Sequence, residues 1–352
     1  MAGETGASQS EEHMRELVGH SEAWRHLERA ARSGQVAHAY LLTGPESIGK
    51  TTLAVEFAKL LLCERADAGT GEPCGECAPC RKISHGNHPD VRLIEPRDGK
   101  RQLGVEVARE DVVRLANRAP SEGRWRVFIL PSAEHMTPST VNALLKTLEE
   151  PPEGVVLLLT SAEPENLLPT LLSRCQLLPL HGVVHDDIVK TLIERQNLDH
   201  TQAKGLADLA NGRLGWALRA AEQPELREER ARLLEQIIGL APASRDARIR
   251  AAATLASDAE TARRALEVWI LWWRDVTLAA CGATHLASAG PARRDAESQG
   301  HAIGQRQADA FLRALLNARV ALDQNANPRL TFDVLMLDLP ALTGGRTQSS
   351  TV

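Results

Sequence analysis

Residues 44–51 read Gly-Pro-Glu-Ser-Ile-Gly-Lys-Thr: a glycine, four residues, a second glycine, a lysine and a hydroxyl side chain. Placed between a strand and a helix, Gly44 and Gly49 let the backbone curl so that amide hydrogens and a helix N-terminus face an anion. Lys50 would then sit beside the β and γ phosphates of a nucleotide and the Thr51 hydroxyl would reach Mg²⁺, with Thr52 next in the same turn. The segment predicts binding of ATP with Mg²⁺, while hydrolysis needs further groups. A second constellation follows closely. Cys63 precedes Cys74, Cys77 and Cys80, the last three at i, i+3 and i+6, with Gly71, Pro73, Gly75 and Pro79 supplying tight turns. Four thiolates aimed at one point suit a closed, structural, tetrahedral Zn²⁺ site, although an iron–sulfur cluster also takes four cysteines. Such clustering in a large chain reads as a metal site rather than a disulfide frame.

The elements that must position these groups can be read from hydrophobic periodicity. A helical pattern runs through Leu17, Trp24, Leu27 and Ala31, and an apolar strand, Ala37 to Thr43, leads into the phosphate loop. A helix follows from about Lys50 to Leu62. Short apolar runs at Val91 to Ile94, Val127 to Leu130, Val155 to Thr160 and Gln176 to Leu180 suit strands buried on both faces of a parallel sheet. Between them Val141, Leu144, Leu145 and Leu148 share one helical face, and Pro151-Pro152 ends that helix. Strands alternating with helices predict a doubly wound α/β domain over residues 14–180, with the cysteine module at 63–80. Beyond His181 the strand signal stops. His185 to Gln196, His200 to Ala210 and Leu214 to Glu222 read as short helices, with Asn211-Gly212 separating the last two. They define a small helical domain over 181–223. Residues 224–342 read as a helical bundle, with a loop of small and charged residues at 283–300. The polar stretches 1–13 and 343–352 read as disordered.

The 352 residues are too many for one ordinary core, and 43% hydrophobic with 25% charged residues is the balance of a soluble globular chain. The formal net charge of −5 argues against a large nucleic-acid-wrapping surface. No apolar run is long enough to span a bilayer, and the acidic start does not suit a signal peptide, so a cytoplasmic protein without membrane contact is expected. Trp269, Trp272 and Trp273 could stack on single-stranded DNA, but their i, i+3, i+4 spacing favours packing in a core. The run Arg227 to Arg232 mixes charge signs and reads as a solvated helix face. His85, His88 and His135 lack paired ligand spacing and are given no role.

With these elements in place, Asn142-Ala-Leu-Leu-Lys-Thr-Leu-Glu-Glu-Pro-Pro152 resembles a segment characteristic of the clamp-loader ATPases of bacterial DNA polymerase III, within the AAA+ family. His38-Ala-Tyr-Leu-Leu-Thr-Gly-Pro45 is similar to the approach to their phosphate loop, Ser173-Arg174-Cys175 resembles their arginine-finger motif, and the cysteine spacing resembles their zinc module. Fainter likeness to the collar domain of the delta-prime branch returns at Trp269 to Asp275 and Asn325 to Leu330. The resemblance implies an AAA+ domain with inserted zinc module, a helical lid at 181–223 and an α-helical collar at 224–342. It implies that Arg174 is offered in trans to a neighbouring subunit's ATP, where a fixed guanidinium stabilises transferring phosphoryl charge. Arg174 would then need no charge partner in its own domain. Thr160 resembles the family's polar sensor, though a capping threonine suits the position too.

Two departures select the branch. The motor subunits, gamma and tau, end the corresponding strand in an Asp-Glu pair, where this chain has Pro131 and Ser132. Neither holds a metal ion or acts as a base, and nearby Glu134 is the one group that could stand in. Where motor subunits carry an arginine that reaches the γ-phosphate, this chain has Gly215. Arg213 lies two positions away, turned roughly 200° around a helix. The expected function is a delta-prime-type subunit of a hetero-pentameric loader with gamma/tau and delta. It would assist placement of a sliding clamp on primed DNA, with little or no ATP turnover and no polymerase site of its own. The alternative is an active gamma/tau-type ATPase, and a zinc-dependent DNA-binding module is disfavoured by charge.

Overall fold

The computed structural model describes residues 17–66, 71–97, 102–287, 292–324 and 326–342, so the expectations for 1–13 and 343–352, and for Asn325, lie outside them. The chain divides into two compact units, residues 1–203 with 210–218, and residues 204–209 with 219–352.

The first unit is built on strands β1 (Ala39–Thr43), β2 (Val91–Leu93), β3 (Arg126–Leu130), β4 (Val155–Ser161) and β5 (Gln176–Pro179). They form one sheet in the order β2-β3-β4-β1-β5, every pairing parallel. α1 (Ser21–Ser33) leads into β1; parallel neighbours then need crossovers, and helices supply them: α2 (Lys50–Leu62), α3 (Ala78–Ser84), α4 (residues 105–116, with a π-helical middle), α5 (Pro138–Glu149) and the single turn α6 (Pro169–Leu172). The continuous apolar strands follow from cover on both sides. Tyr40, Leu42, Val127, Ile129, Val156 and Leu158 join Phe57 in one core, while Leu41, Phe128, Leu130, Leu157 and Leu159 join Leu144 and Leu148 in the other. Tyr40 and Phe57 meet edge to face at 5.6 Å. The parallel α/β expectation is met. α5 starts earlier than its apolar face suggests, because the Thr137 hydroxyl accepts from the Thr140 N–H and Pro138 fits the first turn.

After β5 come α7 (His185–Gln196), α8 (His200–Ala210) and α9 (Leu214–Glu222), at the expected bounds, with left-handed Asn211 closing α8. The last two contribute residues to both units.

The second unit is wholly helical among its described residues: α10 (Pro224–Leu240), α11 (Arg245–Leu255), α12 (Ala259–Ala280), α13 (Arg293–Ile303), α14 (Gln305–Asp323) and α15 (Pro328–Asp338). Its core holds Trp269, Trp272 and Trp273, all buried, with Trp269 against Phe332 at 5.4 Å and Trp273 against Phe311 at 4.6 Å. The tryptophan stripe is therefore packing. The loop expected over 283–300 is corrected: it holds a helical turn at Thr284–Leu286 and most of α13. The small residues there serve close approach. A Cβ on Gly300 would stand 2.7 Å from the Val276 carbonyl, so glycine lets α13 lie against α12.

Arg248 is almost fully buried and donates to the carbonyls of Leu240, Ala241, Leu339 and Pro340, tying the end of α10 to the chain after α15. Burial lowers its pKa from the usual arginine value, and Arg245 adds to that.

Candidate functional site

The phosphate loop emerges from the C-terminal end of β1, the place where open parallel sheets present ligands. Gly44 has φ 140°, and a Cβ there would lie 2.3 Å from the Leu180 carbonyl, so no other residue fits. Ser47 is left-handed at φ 59°, and Gly49 at φ 108° opens α2. Two bonds brace the loop from outside. His20 Nε2 donates to the Ile48 carbonyl at 2.7 Å, and the Gly215 N–H donates to the Ser47 carbonyl at 2.8 Å. Burial lowers the pKa of His20, favouring the neutral ring, while its bond to Ile48 opposes the shift.

Lys50 is buried, with Nζ donating to the carbonyls of Gly44 at 2.7 Å and Pro45 at 2.8 Å. Burial lowers its pKa, and the charges of Glu134 and Glu46 work the other way. Thr51 is half-buried at the start of α2, and Thr52 is exposed. Thr160, buried at the end of β4, accepts the Ser132 N–H at 3.1 Å, so its hydroxyl ties two strand ends together.

Where a carboxylate pair would stand in a motor subunit, Pro131 leads to Ser132 in a left-handed conformation. Glu134 lies in the helical turn just beyond. Its Oε1 accepts the Ala162 N–H at 3.1 Å, and its Oε2 is buried without a hydrogen-bond partner among the described residues. Gly215 approaches the loop so closely that a Cβ would sit 3.0 Å from the Ser47 carbonyl. Arg213 is buried and its Nε donates to the Ala210 carbonyl within its own turn.

Cys63, Cys74, Cys77 and Cys80 converge, with all four sulfurs within 4.8 Å of one another. The Cys63 sulfur accepts N–H groups of Cys74 at 3.3 Å and Arg65 at 3.4 Å, and the Cys74 sulfur accepts that of Cys77 at 3.3 Å. Left-handed Gly71 and Gly75 make the turns. A single ion with metal–sulfur bonds of about 2.3 Å fits among sulfurs at such separations. The donor set is therefore suited to a metal ion. Burial raises the Cys80 thiol pKa and neighbouring Cys77 adds to this; Cys74 is lowered to about 7, its burial outweighed by N–H donors from Cys77 and Glu76.

The module's helix α3 is anchored by a hub that sequence reading missed. Lys82 Nζ bonds both Glu122 carboxylate oxygens at 2.6 and 2.8 Å. The Glu122 N–H, with those of Ser121 and Gly123, donates to the fully buried carboxylate of Asp90. Arg126 Nη2 completes the ring at 2.9 Å and its Nη1 donates to the carbonyls of Leu115 and Arg118. Burial disfavours the Asp90 carboxylate, but these donors hold its pKa below the usual value. Neither Asp90 nor Arg126 belongs to a motif, and only the charge of Arg126 inside an apolar strand hinted at a buried partner.

Arg174 corrects an expectation. Its Nη2 donates to Glu149 Oε1 at 2.6 Å, and its Nη1 donates to the Thr170 carbonyl at 2.9 Å, so it does have a local charge partner.

Fold and site together define a parallel α/β module that carries a phosphate-loop motif and a four-cysteine insert, alongside a helical unit. The family described as DNA polymerase III, delta subunit, matches residues 19–183. The delta-prime subunit of Pseudomonas aeruginosa DNA polymerase III is 45% identical over 150 residues, covering 42% of this chain and 45% of that protein. The Bacillus subtilis delta-prime subunit is 32% identical over 211 residues, covering 59% and 61%. Over its matched region the chain is similar to delta-prime subunits of DNA polymerase III. The tau subunit of Bacillus subtilis is also similar, 33% identical over 213 residues, covering 59% of this chain and 37% of that one. The chain thus spans less than two thirds of each of these relatives, and likeness over this stretch is shared by both branches. No helix among the described residues is long and apolar enough to cross a membrane.

Proposed function

We propose that the chain is a delta-prime-type subunit of a clamp loader, assisting ATP-dependent placement of a sliding clamp on primed DNA in a hetero-pentamer with gamma/tau and delta. In this reading residues 181–223 are the lid and 224–342 the collar, and Cys63, Cys74, Cys77 and Cys80 hold a structural Zn²⁺. The closeness of the four sulfurs favours one ion over a multi-iron cluster, whose irons and sulfides need more room between the thiolates. Gly44, Gly49, Lys50, Thr51 and Thr52, with Thr160 nearby, would hold ATP with Mg²⁺, which supplies the phosphoryl charge that Lys50 faces. Arg174 serves a neighbour's site rather than this one.

The observation that carries this reading is the pairing of an intact phosphate loop with a strand end, Pro131-Ser132, that offers no carboxylate. Gly215 adds to it. Steady-state ATP turnover separates the outcomes: the chain alone should bind nucleotide, weakened by Lys50→Ala, with negligible turnover. Robust turnover abolished by Lys50→Ala would overturn the assignment and favour the second reading, a gamma/tau-type ATPase. The likeness to tau and the Glu134 oxygen that has no hydrogen-bond partner among the described residues support that second reading.

A further inference from the structure

Glu149 is the last residue of α5, directly before Glu150 and the two prolines that stop the helix. Arg174 follows the single turn of α6, twenty-five residues on. Their side chains meet where these two element ends face each other. The guanidinium is held from two directions, by the Glu149 carboxylate at 2.6 Å and by the Thr170 carbonyl at 2.9 Å, with the Ser173 hydroxyl at 3.3 Å. A third of the arginine side chain remains exposed, and Glu149 is half exposed. A guanidinium carries more N–H groups than these contacts use, so part of its donor fork stays open to solvent. An arginine on a free stem has several rotatable bonds to order before it can meet a phosphate. Here that ordering is already done by groups of its own unit.

From this juxtaposition we propose that Glu149 is a positioning residue for Arg174, fixing the guanidinium so that its free edge is presented outward. The proposal rests on the reading of Arg174 as a finger acting in trans. Glu149 touches no phosphate; it acts by holding the arginine in place. The closing turn of α5 thereby acquires a task beyond ending a helix, since its carboxylate sets the direction of a side chain from another element. Thr170 contributes through its backbone, so substitution at that position would leave its contact in place.

Two measurements test the idea. In the full chain alone, the rate at which phenylglyoxal modifies Arg174, mapped by mass spectrometry, should rise roughly twofold to fivefold in Glu149→Gln, the range expected for loss of a partly exposed ion pair. Glu149→Asp should restore part of the protection. In a loader assembled with its motor subunits, Glu149→Gln should lower DNA- and clamp-stimulated ATP turnover, by less than Arg174→Ala does. The double variant should be no slower than Arg174→Ala, because a positioning group has nothing left to position. A merely structural Glu149 would instead make the double variant worse, and that result would overturn the proposal. Unchanged modification and turnover in Glu149→Gln, with Arg174→Ala impaired, would overturn it equally. If Arg174→Ala leaves stimulated turnover intact, the finger reading itself falls and this proposal with it.

Discussion

Asp90→Asn removes one charge from the centre of the first unit and keeps the side chain's shape. In the wild type, Oδ1 accepts from the Ser121 N–H at 2.7 Å and from Arg126 at 2.9 Å, while Oδ2 accepts from Glu122 at 2.7 Å and Gly123 at 3.2 Å. An asparagine can satisfy one pair, but its NH₂ then faces the N–H donors of the other. Breaking one member of a buried ion pair costs about 3 to 5 kcal/mol. Arg126 keeps its bonds to Leu115 and Arg118, so the loss should fall near the lower end, about 3 kcal/mol. Urea unfolding of the first unit should move to lower denaturant with its slope unchanged, and amide exchange at Ser121 to Gly123 should accelerate. The pH dependence has a definite sign. The folded pKa of Asp90 is depressed, so its stabilisation is complete above the unfolded value, near 3.8, and is lost as pH falls through the lower folded value. The gap between wild type and variant should therefore be full at neutral pH and close in acid. A loss under about 1 kcal/mol at pH 7, the size of an ordinary hydrogen bond, would show that the hub does not hold the loop.

Metal analysis of the purified chain should find near-stoichiometric zinc, and Cys77→Ser should lose it together with stability; absence of metal, or iron with a visible absorption band, would refute the assignment. Gly215→Arg should not create turnover, since its Cβ would press on the Ser47 carbonyl at 3.0 Å and disturb the loop before the guanidinium could help. Nucleotide titration should instead show weaker binding, and a gain of hydrolysis would count against the bracing role. Arg248→Met should destabilise the second unit by about 2 to 3 kcal/mol, because the buried carbonyls of Leu339 and Pro340 lose their donor at about 1 to 3 kcal/mol each with partial relaxation, while those of Leu240 and Ala241 keep the N–H groups of Ala243 and Leu342. Thermal unfolding followed by the fluorescence of its tryptophans would measure it.

What could be read from the sequence is what depends on local spacing. The phosphate loop, the cysteine knuckle and the Trp269-Trp272-Trp273 stripe all lie within a few turns of chain, and apolar runs on β1, β3 and β4 reflect burial on two faces. What escaped depends on partners far apart. Asp90 meets residues thirty-one to thirty-six positions away, and Arg174 meets Glu149 across two elements. No periodicity announces such pairs. The helix Arg293–Ile303 was missed because its glycine and alanines look like loop composition, whereas Gly300 is small to admit a neighbouring helix. The π-helical stretch in α4 has no sequence mark at all.

The strand order also sets a schedule for making the protein. β1 is buried along its whole length, yet among the described residues it pairs with β4 and β5 alone, with Ala39 opposite Leu157 and Tyr40 opposite Gln176. A ribosome that has just finished the phosphate loop has therefore produced an apolar strand with nothing to pair with until more than a hundred further residues emerge. During that interval β1 and α2 are surfaces that another nascent chain could capture. The loop at residues 44–51 is thus completed late, since Leu180 and Gly215, whose backbone groups press on it or brace it, are synthesised long after it.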